Sequence, residues 1–395
     1  MYIYRIMLKN NILNNDQIKN QNRLAVLQLL KMHGAMSRSE LTGRLGCDGT
    51  TITNITRSLA ADNYVISAGS TAASGRGRPK ELITLNKDAC HAAGIAISPR
   101  FLSGVVIDFC GNIVFQEKIY LSEQHSQNIF LKNLKQLCNN LIAECPEKRF
   151  MGLGMATFGI YDPENKIISK AEYLDAVCGI NFEDFFVENF NILPEIIDAT
   201  TARGVAESSR ENLNLPESFI LVNADVGIGC YVCLKSRALD TRRGSYNEFG
   251  HMIINPDGEI CEMGHKGCVE SYSAIPALEK KITMAKKINN VDLDIILDLY
   301  KKQDPQTISI VHNSAEYLGI GIANLVNIFS PEKIILSGDI SNFGQNYLDV
   351  IALSVQQHAI TDFSSGLEFS ISKIKDEGPA LGAALTKLNC FFNVE

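Results

Sequence analysis

Between Asn20 and Leu85 the chain carries three short helical patterns and then two strand patterns around a basic loop, an order that few folds accommodate. Leu24, Leu27, Leu30 and Lys31 keep helical spacing from Asn20 to His33, and Gly34 supplies the stop. Ser37-Arg38-Ser39-Glu40 has the form of a capping box, in which the serine hydroxyl accepts from the Glu40 amide while the carboxylate reaches back. It predicts a second helix ending at Leu45. Gly46-Cys47-Asp48 makes a tight turn, and Asp48 can cap a third helix with Ile52, Ile55 and Leu59 as its buried stripe. Its other face carries Thr51, Thr53, Asn54 and Arg57.

Two helices joined by a Gly-containing turn form a helix-turn-helix, whose second helix suits the major groove. The candidate DNA contacts are Ser37, Arg38, Thr50, Thr51, Thr53, Asn54 and Arg57. Thr and Asn can reach base edges, and Arg57 can take a base or a phosphate. A helical hairpin used only for packing would show the same helix pattern. Tyr64 to Ser67 and Glu81 to Leu85 then read as strands around a loop, Ala68 to Lys80, that forms a wing. Its Gly75-Arg76-Gly77-Arg78-Pro79 run lets backbone lie close to DNA while Arg76 and Arg78 reach a narrow minor groove or phosphates. A solvated linker is the alternative for this loop.

Charge supports a divided molecule. Residues 1–85 hold 11 Lys+Arg against 5 Asp+Glu, so a net charge of −7 for the whole chain leaves −13 for the remainder. A basic head on an acidic body suits one domain that meets phosphates and another that does not. With 395 residues, 46% of them hydrophobic, the chain has material for two or three domains. The apolar stretch Leu318 to Phe329 is interrupted by Asn324 and Asn327 and is too short to span a bilayer. The first twenty residues lack the apolar core and cleavage site of a secretory leader, so a cytoplasmic location is expected. Eleven cysteines without such a leader are expected to be reduced thiols.

Beyond Asn86, three apolar runs (Ala92 to Ile97, Ser103 to Asp108, Asn112 to Tyr120) suggest an antiparallel meander, and Ser218 to Ala224 with Gly229 to Lys235 begin another. Each is followed by alternating helix and strand patterns, which predicts two related lobes with a ligand-sized cleft between them. Cys230 and Cys233 have metal or redox spacing, but an offset of three in a strand sends them to opposite faces, so both are read as core residues.

The order of helix-turn-helix, Gly-Arg-Gly-Arg-Pro wing, duplicated lobes, Glu248-Phe-Gly-His251 and Gly267-Cys268-Val-Glu270 resembles the ROK family of sugar-responsive repressors and sugar kinases, over nearly the whole chain. The resemblance implies an N-terminal, mainly α winged helix-turn-helix followed by an α/β actin-like ATPase (ROK) fold of two duplicated lobes. The expected division is a tail at 1–19, the winged domain at 20–85, a first lobe at 86–200 plus 377–395, and a second lobe at 201–376 that carries sugar binding and oligomerisation.

Family kinases open the first lobe with a D-x-G-G-T phosphate loop. Here Gly94-Ile-Ala-Ile-Ser-Pro-Arg100 stands in that place, with Ala96 for the acid and Pro99 removing a backbone donor. The second Gly-rich element survives in part as Val226-Gly227-Ile228-Gly229, and Ser337-Gly338-Asp339 replaces the paired glycines that accept adenosine. ATP binding and kinase activity are therefore expected to be lost. On the sugar side Asp198, Glu248, His251 and Glu270 match the family's positions, Asp198 being the vestigial catalytic base, while Ile197 replaces its usual Asn neighbour. Asp198 could equally cap the helix from Thr200, and Glu248 and Glu270 could be solvated.

The family's structural zinc takes one His and three Cys at the spacing H-x9-C-x-C-x4-C. This chain offers His251, Cys261, Met263 and Cys268, and a thioether is a poor substitute for a thiolate. Either His265 becomes the fourth ligand or the metal is absent. The expected partners are a pseudo-palindromic double-stranded operator, a sugar or sugar derivative, and further copies in a homodimer or homotetramer, with no membrane. Two rivals share the resemblance: a sugar kinase with an added DNA-binding domain, and a repressor governed by a phosphotransferase-system protein.

Overall fold

A computed structural model describes residues 15–70, 79–121, 126–145, 149–162, 164–171, 174–209, 215–239 and 248–392, with side chains from residue 20 onward. The head is built from α1 (Asn15–His33), β1 (Met36–Ser37), α2 (Arg38–Leu45), α3 (Gly49–Ala61), β2 (Val65–Ser70) and β3 (Glu81–Leu85). The capping box forms as the sequence requires, with both the Ser37 and Glu40 side chains engaged, and Gly46 closes α2 in the left-handed conformation. Asp48 caps α3 by accepting from the Thr51 amide. Strands β1 and β2 flank β3, both antiparallel to it, so the strand pair at the base of the loop gains a third member that the sequence reading lacked. Helix α1 starts five residues before the expected boundary at residue 20, and β2 runs on to Ser70 rather than stopping at Ser67. Arg76 and Arg78 lie outside the described residues.

The first lobe comprises β4 (His91–Ile97), β5 (Phe101–Asp108), β6 (Ile113–Tyr120), α4 (Gln127–Ala143), β7 (Phe150–Thr157), the small hairpin β8 (Ile160–Asp162) and β9 (Ile167–Lys170), α5 (Phe182–Phe190), β10 (Glu195–Asp198) and α6 (Ala199–Ser208). The second comprises β11 (Phe219–Ala224), β12 (Ile228–Leu234), β13 (Arg237–Ala238), α7 (Val269–Ser273), α8 (Ile275–Lys286), α9 (Leu293–Lys301), α10 (Pro305–Phe329), β14 (Lys333–Ser337), α11 (Gln345–His358), α12 (Thr361–Ser364) and β15 (Glu368–Ile371). Helix α13 (Gly378–Phe392) then returns to pack on β4, β5 and β7 of the first lobe.

The duplication is visible in the strand order. The first sheet runs β6-β5-β4-β7-β10 and the second β13-β12-β11-β14-β15. In each, three antiparallel strands are followed by two that lie parallel to the first of them. Helix α6 is shared. One side packs on α13, and at Gly204 the other side meets Tyr231 of β12 so closely that a Cβ there would lie 2.0 Å from the ring. The expected boundary at 200/201 thus falls inside an element gripped by both lobes.

The hydrophobic core is continuous from head to first lobe. Leu27, Leu30, Leu59 and Leu85 of the head pack in one cluster with Phe109, Leu388 and Phe392, while the second lobe has a core of its own around Leu318, Ile334 and Ile351. Cys230 and Cys233 are buried in separate clusters on the two faces of β12, as strand alternation requires. No helix among the described residues is long and apolar enough to cross a membrane.

Candidate functional site

A cavity of about 250 Å³ opens between the lobes, near the lower end of small-molecule sites at roughly 300 Å³. Asp198, Glu248, His251 and Glu270 all line it, so the four sugar-site candidates, spread from residue 198 to residue 270, share one space. Asp198 comes from the junction of β10 and α6. Its Oδ1 accepts from the amides of Thr200 and Thr201 at 2.9 and 3.0 Å, which is a helix cap. Its Oδ2 is buried without a hydrogen-bond partner. The residue therefore caps the helix, lines the cavity, and keeps one buried oxygen unsatisfied. Burial pushes its pKa above the usual carboxylate range, against the opposing hydrogen bonds from Thr201 and Thr200.

The second lobe supplies the other three. His251 ends a single helical turn, Phe249–His251, and its Nε2 lies 3.9 Å from Glu248 Oε2. Glu270, in the first turn of α7, accepts weakly from the Ile228 amide at 3.4 Å. Carboxylates and an imidazole around a concave space can accept from, and exchange hydrogen bonds with, vicinal hydroxyls.

Several cleft residues escaped the sequence reading. Lys170, at the end of β9, brings its Nζ within 3.2 Å of Met263 Sδ, and Arg100 reaches from the β4–β5 turn to Asp225 at 3.4 Å and to Asp339. Arg203 of α6 is buried beneath the same region and donates to the Lys375 carbonyl at 3.0 Å. Burial lowers its pKa, and Asp225 chief among the nearby acids counters that. Arg100 follows Ala96 closely enough in sequence to have been noticed; Lys170 sits in a hairpin too short for periodicity to show.

His251, Cys261 and Cys268 come together with their ligand atoms within 4.8 Å of one another. Cys261 Sγ lies 3.8 Å from His251 Nδ1 and 3.5 Å from Cys268 Sγ. These three could hold three corners of a tetrahedral zinc site. The fourth corner is not supplied by His265, which is exposed and outside the group, and Met263 turns its sulfur to Lys170.

On the head, the exposed residues of α3 include Thr50, Asn54 and Arg57. Other candidates make contacts within the head. Ser37 is 2% exposed, with its hydroxyl on Glu40 and Ser39, so it shapes the start of α2 and is corrected from a DNA contact to a cap. Arg38 bonds Thr56 and Glu81, while the Thr51 and Thr53 hydroxyls donate to Asp48 and to the Gly49 carbonyl.

Known proteins resemble both parts together. The xylose repressor of Bacillus spizizenii is 27% identical over 382 residues, covering 95% of this chain and 97% of the repressor. The crystal structure of a ROK family transcriptional regulator, a homolog of the E. coli Mlc protein, superposes with a TM-score of 0.78 at 20% identity, covering 95% of this chain and 97% of that one. A ROK family glucokinase from Streptomyces griseus, in complex with glucose and AMPPNP, gives a TM-score of 0.65 at 18% identity and covers 75% of this chain and 98% of its own. The ROK family model matches residues 93–388, so this chain belongs to the ROK family.

Proposed function

We propose that this protein is a sugar-responsive transcriptional repressor, in which a winged helix-turn-helix head at 20–85 reads an operator and a sugar held between the lobes controls it. The observation that carries the reading is Asp198, a residue lining the cleft: one oxygen caps the helix shared by both lobes while the other is buried and unpartnered. A sugar hydroxyl donating to Oδ2 would satisfy the orphan and pull on α6 in one step. The named function of the xylose repressor, which aligns over head and body alike, supports the same reading. Genes of sugar uptake or catabolism are the targets, and a homodimer or homotetramer on a pseudo-palindromic site is the acting form.

The kinase alternative has the glucokinase-like fold and the retained Asp198 in its favour. Against it stand Ala96 in place of the phosphate-loop acid, and Arg100, whose guanidinium sits on two second-lobe carboxylates. In vitro selection from random duplex DNA should enrich a two-fold-related sequence. Calorimetry with pentoses, hexoses and amino sugars should find a ligand that changes affinity for that sequence. Arg76→Ala with Arg78→Ala should weaken DNA binding and flatten its salt dependence. ATP-dependent sugar phosphorylation abolished by Asp198→Asn would overturn the non-enzyme reading. Heat from no sugar would replace the sensor with a repressor governed by a partner protein, for which a phosphotransferase-system component is the candidate.

A further inference from the structure

Arg100 belongs to the turn between β4 and β5 in the first lobe, whereas Asp225 follows β11 and Asp339 follows β14 in the second. The two aspartates are held in place by their own loops. Asp225 Oδ1 accepts from the Val226 amide at 2.9 Å, and Gly338, next to Asp339, approaches Ala224 so closely that a Cβ there would lie 2.3 Å from the Ala224 carbonyl oxygen. Two fixed carboxylates in reach of one guanidinium repel each other unless a cation lies between them. Arg203 of α6 acts on Asp225 alone, whereas Arg100, from the opposite lobe, reaches both carboxylates. Glu279 and Asp376 add further negative charge around the same group, Glu279 acting on Arg100 and Asp376 on Asp225.

We infer that Arg100 is a latch between the lobes: seated on Asp225 and Asp339 it favours the closed cleft, and its release favours the open one. Lobes joined through a cleft move relative to each other by default, and a modest difference between the two states sets their populations. The guanidinium is half exposed, so screening by salt weakens the latch. With its charge spent on two carboxylates, Arg100 is also poorly placed to receive a nucleotide's phosphates. The effect on sugar affinity rests on the sensor reading above, but the effect on lobe angle does not.

The test is small-angle X-ray scattering of the full chain without ligand, for the natural protein, Arg100→Met, and the swap Arg100→Asp with Asp339→Arg. Arg100→Met should give a larger radius of gyration at low salt, the natural protein should move toward that value as salt rises, and the swap should recover much of the compact form. In calorimetry, the sugar found to bind should bind Arg100→Met roughly fivefold more weakly, as expected when the competent state is less populated. Identical scattering from the natural protein and Arg100→Met at both salt concentrations overturns the latch. A latch seen by scattering in a protein that binds no sugar sustains this inference and defeats only the sensor reading.

Discussion

A methyl group on Gly382 of α13 would lie 1.7 Å from the carbonyl oxygen of Ala202 of α6. The two helices touch backbone to backbone there, and the obstacle is not a side chain that could swing aside. Gly382→Ala must therefore push the helices apart, and overpacking of this kind costs about 1–3 kcal/mol. The expected result is a clear fall in melting temperature. Gly43 in α2 has open space where a Cβ would go, so Gly43→Ala should be neutral or stabilising by up to about 1 kcal/mol. Equal melting temperatures for the two variants would mean that α6 and α13 can separate at little cost.

Asp198 makes a prediction with a sign. Its folded-state pKa is raised by burial, so the protonated form is favoured by folding. The associated stability is present below the ordinary carboxylate pKa and is lost as pH rises through the raised value. At neutral pH the buried charge is a cost. Asn caps a helix about as well as Asp and carries no charge, so Asp198→Asn should melt higher than the natural protein at pH 7, with the gain shrinking as pH falls. Sugar affinity should nevertheless drop, by roughly tenfold or more for loss of a charge-assisted acceptor. A variant that melts lower at pH 7 would show that the carboxylate is stabilised by a charge pair instead.

Much of this was legible in the sequence where local chemistry decides structure. The capping box at Ser37 and Glu40 and the Asp48 cap follow from residue order and periodicity. The convergence of Asp198, Glu248, His251 and Glu270 was accessible through the family resemblance, since no local pattern relates positions in different lobes. What escaped depends on long-range approach. Lys170 rides on a short hairpin, and the partners of Arg100 lie more than 120 residues away. Helix α9 is only nine residues long and escapes the periodicity, although Asp292 caps it by accepting from the Ile295 amide. Ser37 failed as a DNA contact for a simple reason: a hydroxyl already serving the capping box has no face left for a groove.

Metal binding can be tuned at one position. His251, Cys261 and Cys268 supply three converging ligands, whereas the fourth site of the family pattern is Met263, whose sulfur contacts Lys170 instead. A thiolate at that position would complete a Cys₃His set. Met263→Cys should raise zinc retained after dialysis toward one equivalent and raise the melting temperature, with both gains removed by a chelator. Stoichiometric zinc in the natural protein, unchanged by Met263→Cys, would mean that another donor already fills the fourth corner.

The head is joined to the body by more than its connecting strand. Gln28 donates to the Phe392 carbonyl at 2.7 Å, Lys31 bonds Asn389 at 2.7 Å, and its ammonium lies 4.4 Å from the centre of the Phe392 ring. Phe392 also stacks on Phe109 with centroids 5.2 Å apart, and Tyr64 packs against both Phe109 and Phe391, which touch each other. The far end of α13 thus meets the head, while its middle meets α6, whose cap is Asp198. A displacement at the cleft has a contiguous packed route to the head, and the aromatic cluster is its last link. Phe392→Ala removes a nearly fully buried ring and should cost about 3–5 kcal/mol in the unit that contains it. Because the second lobe keeps its own core, calorimetric melting should broaden or split, with the head and first lobe unfolding earlier. Below that transition the cleft should bind its sugar as before, but the sugar's effect on DNA affinity should shrink. A variant that melts in one unchanged transition and responds fully to sugar would show that the head takes its signal by another path.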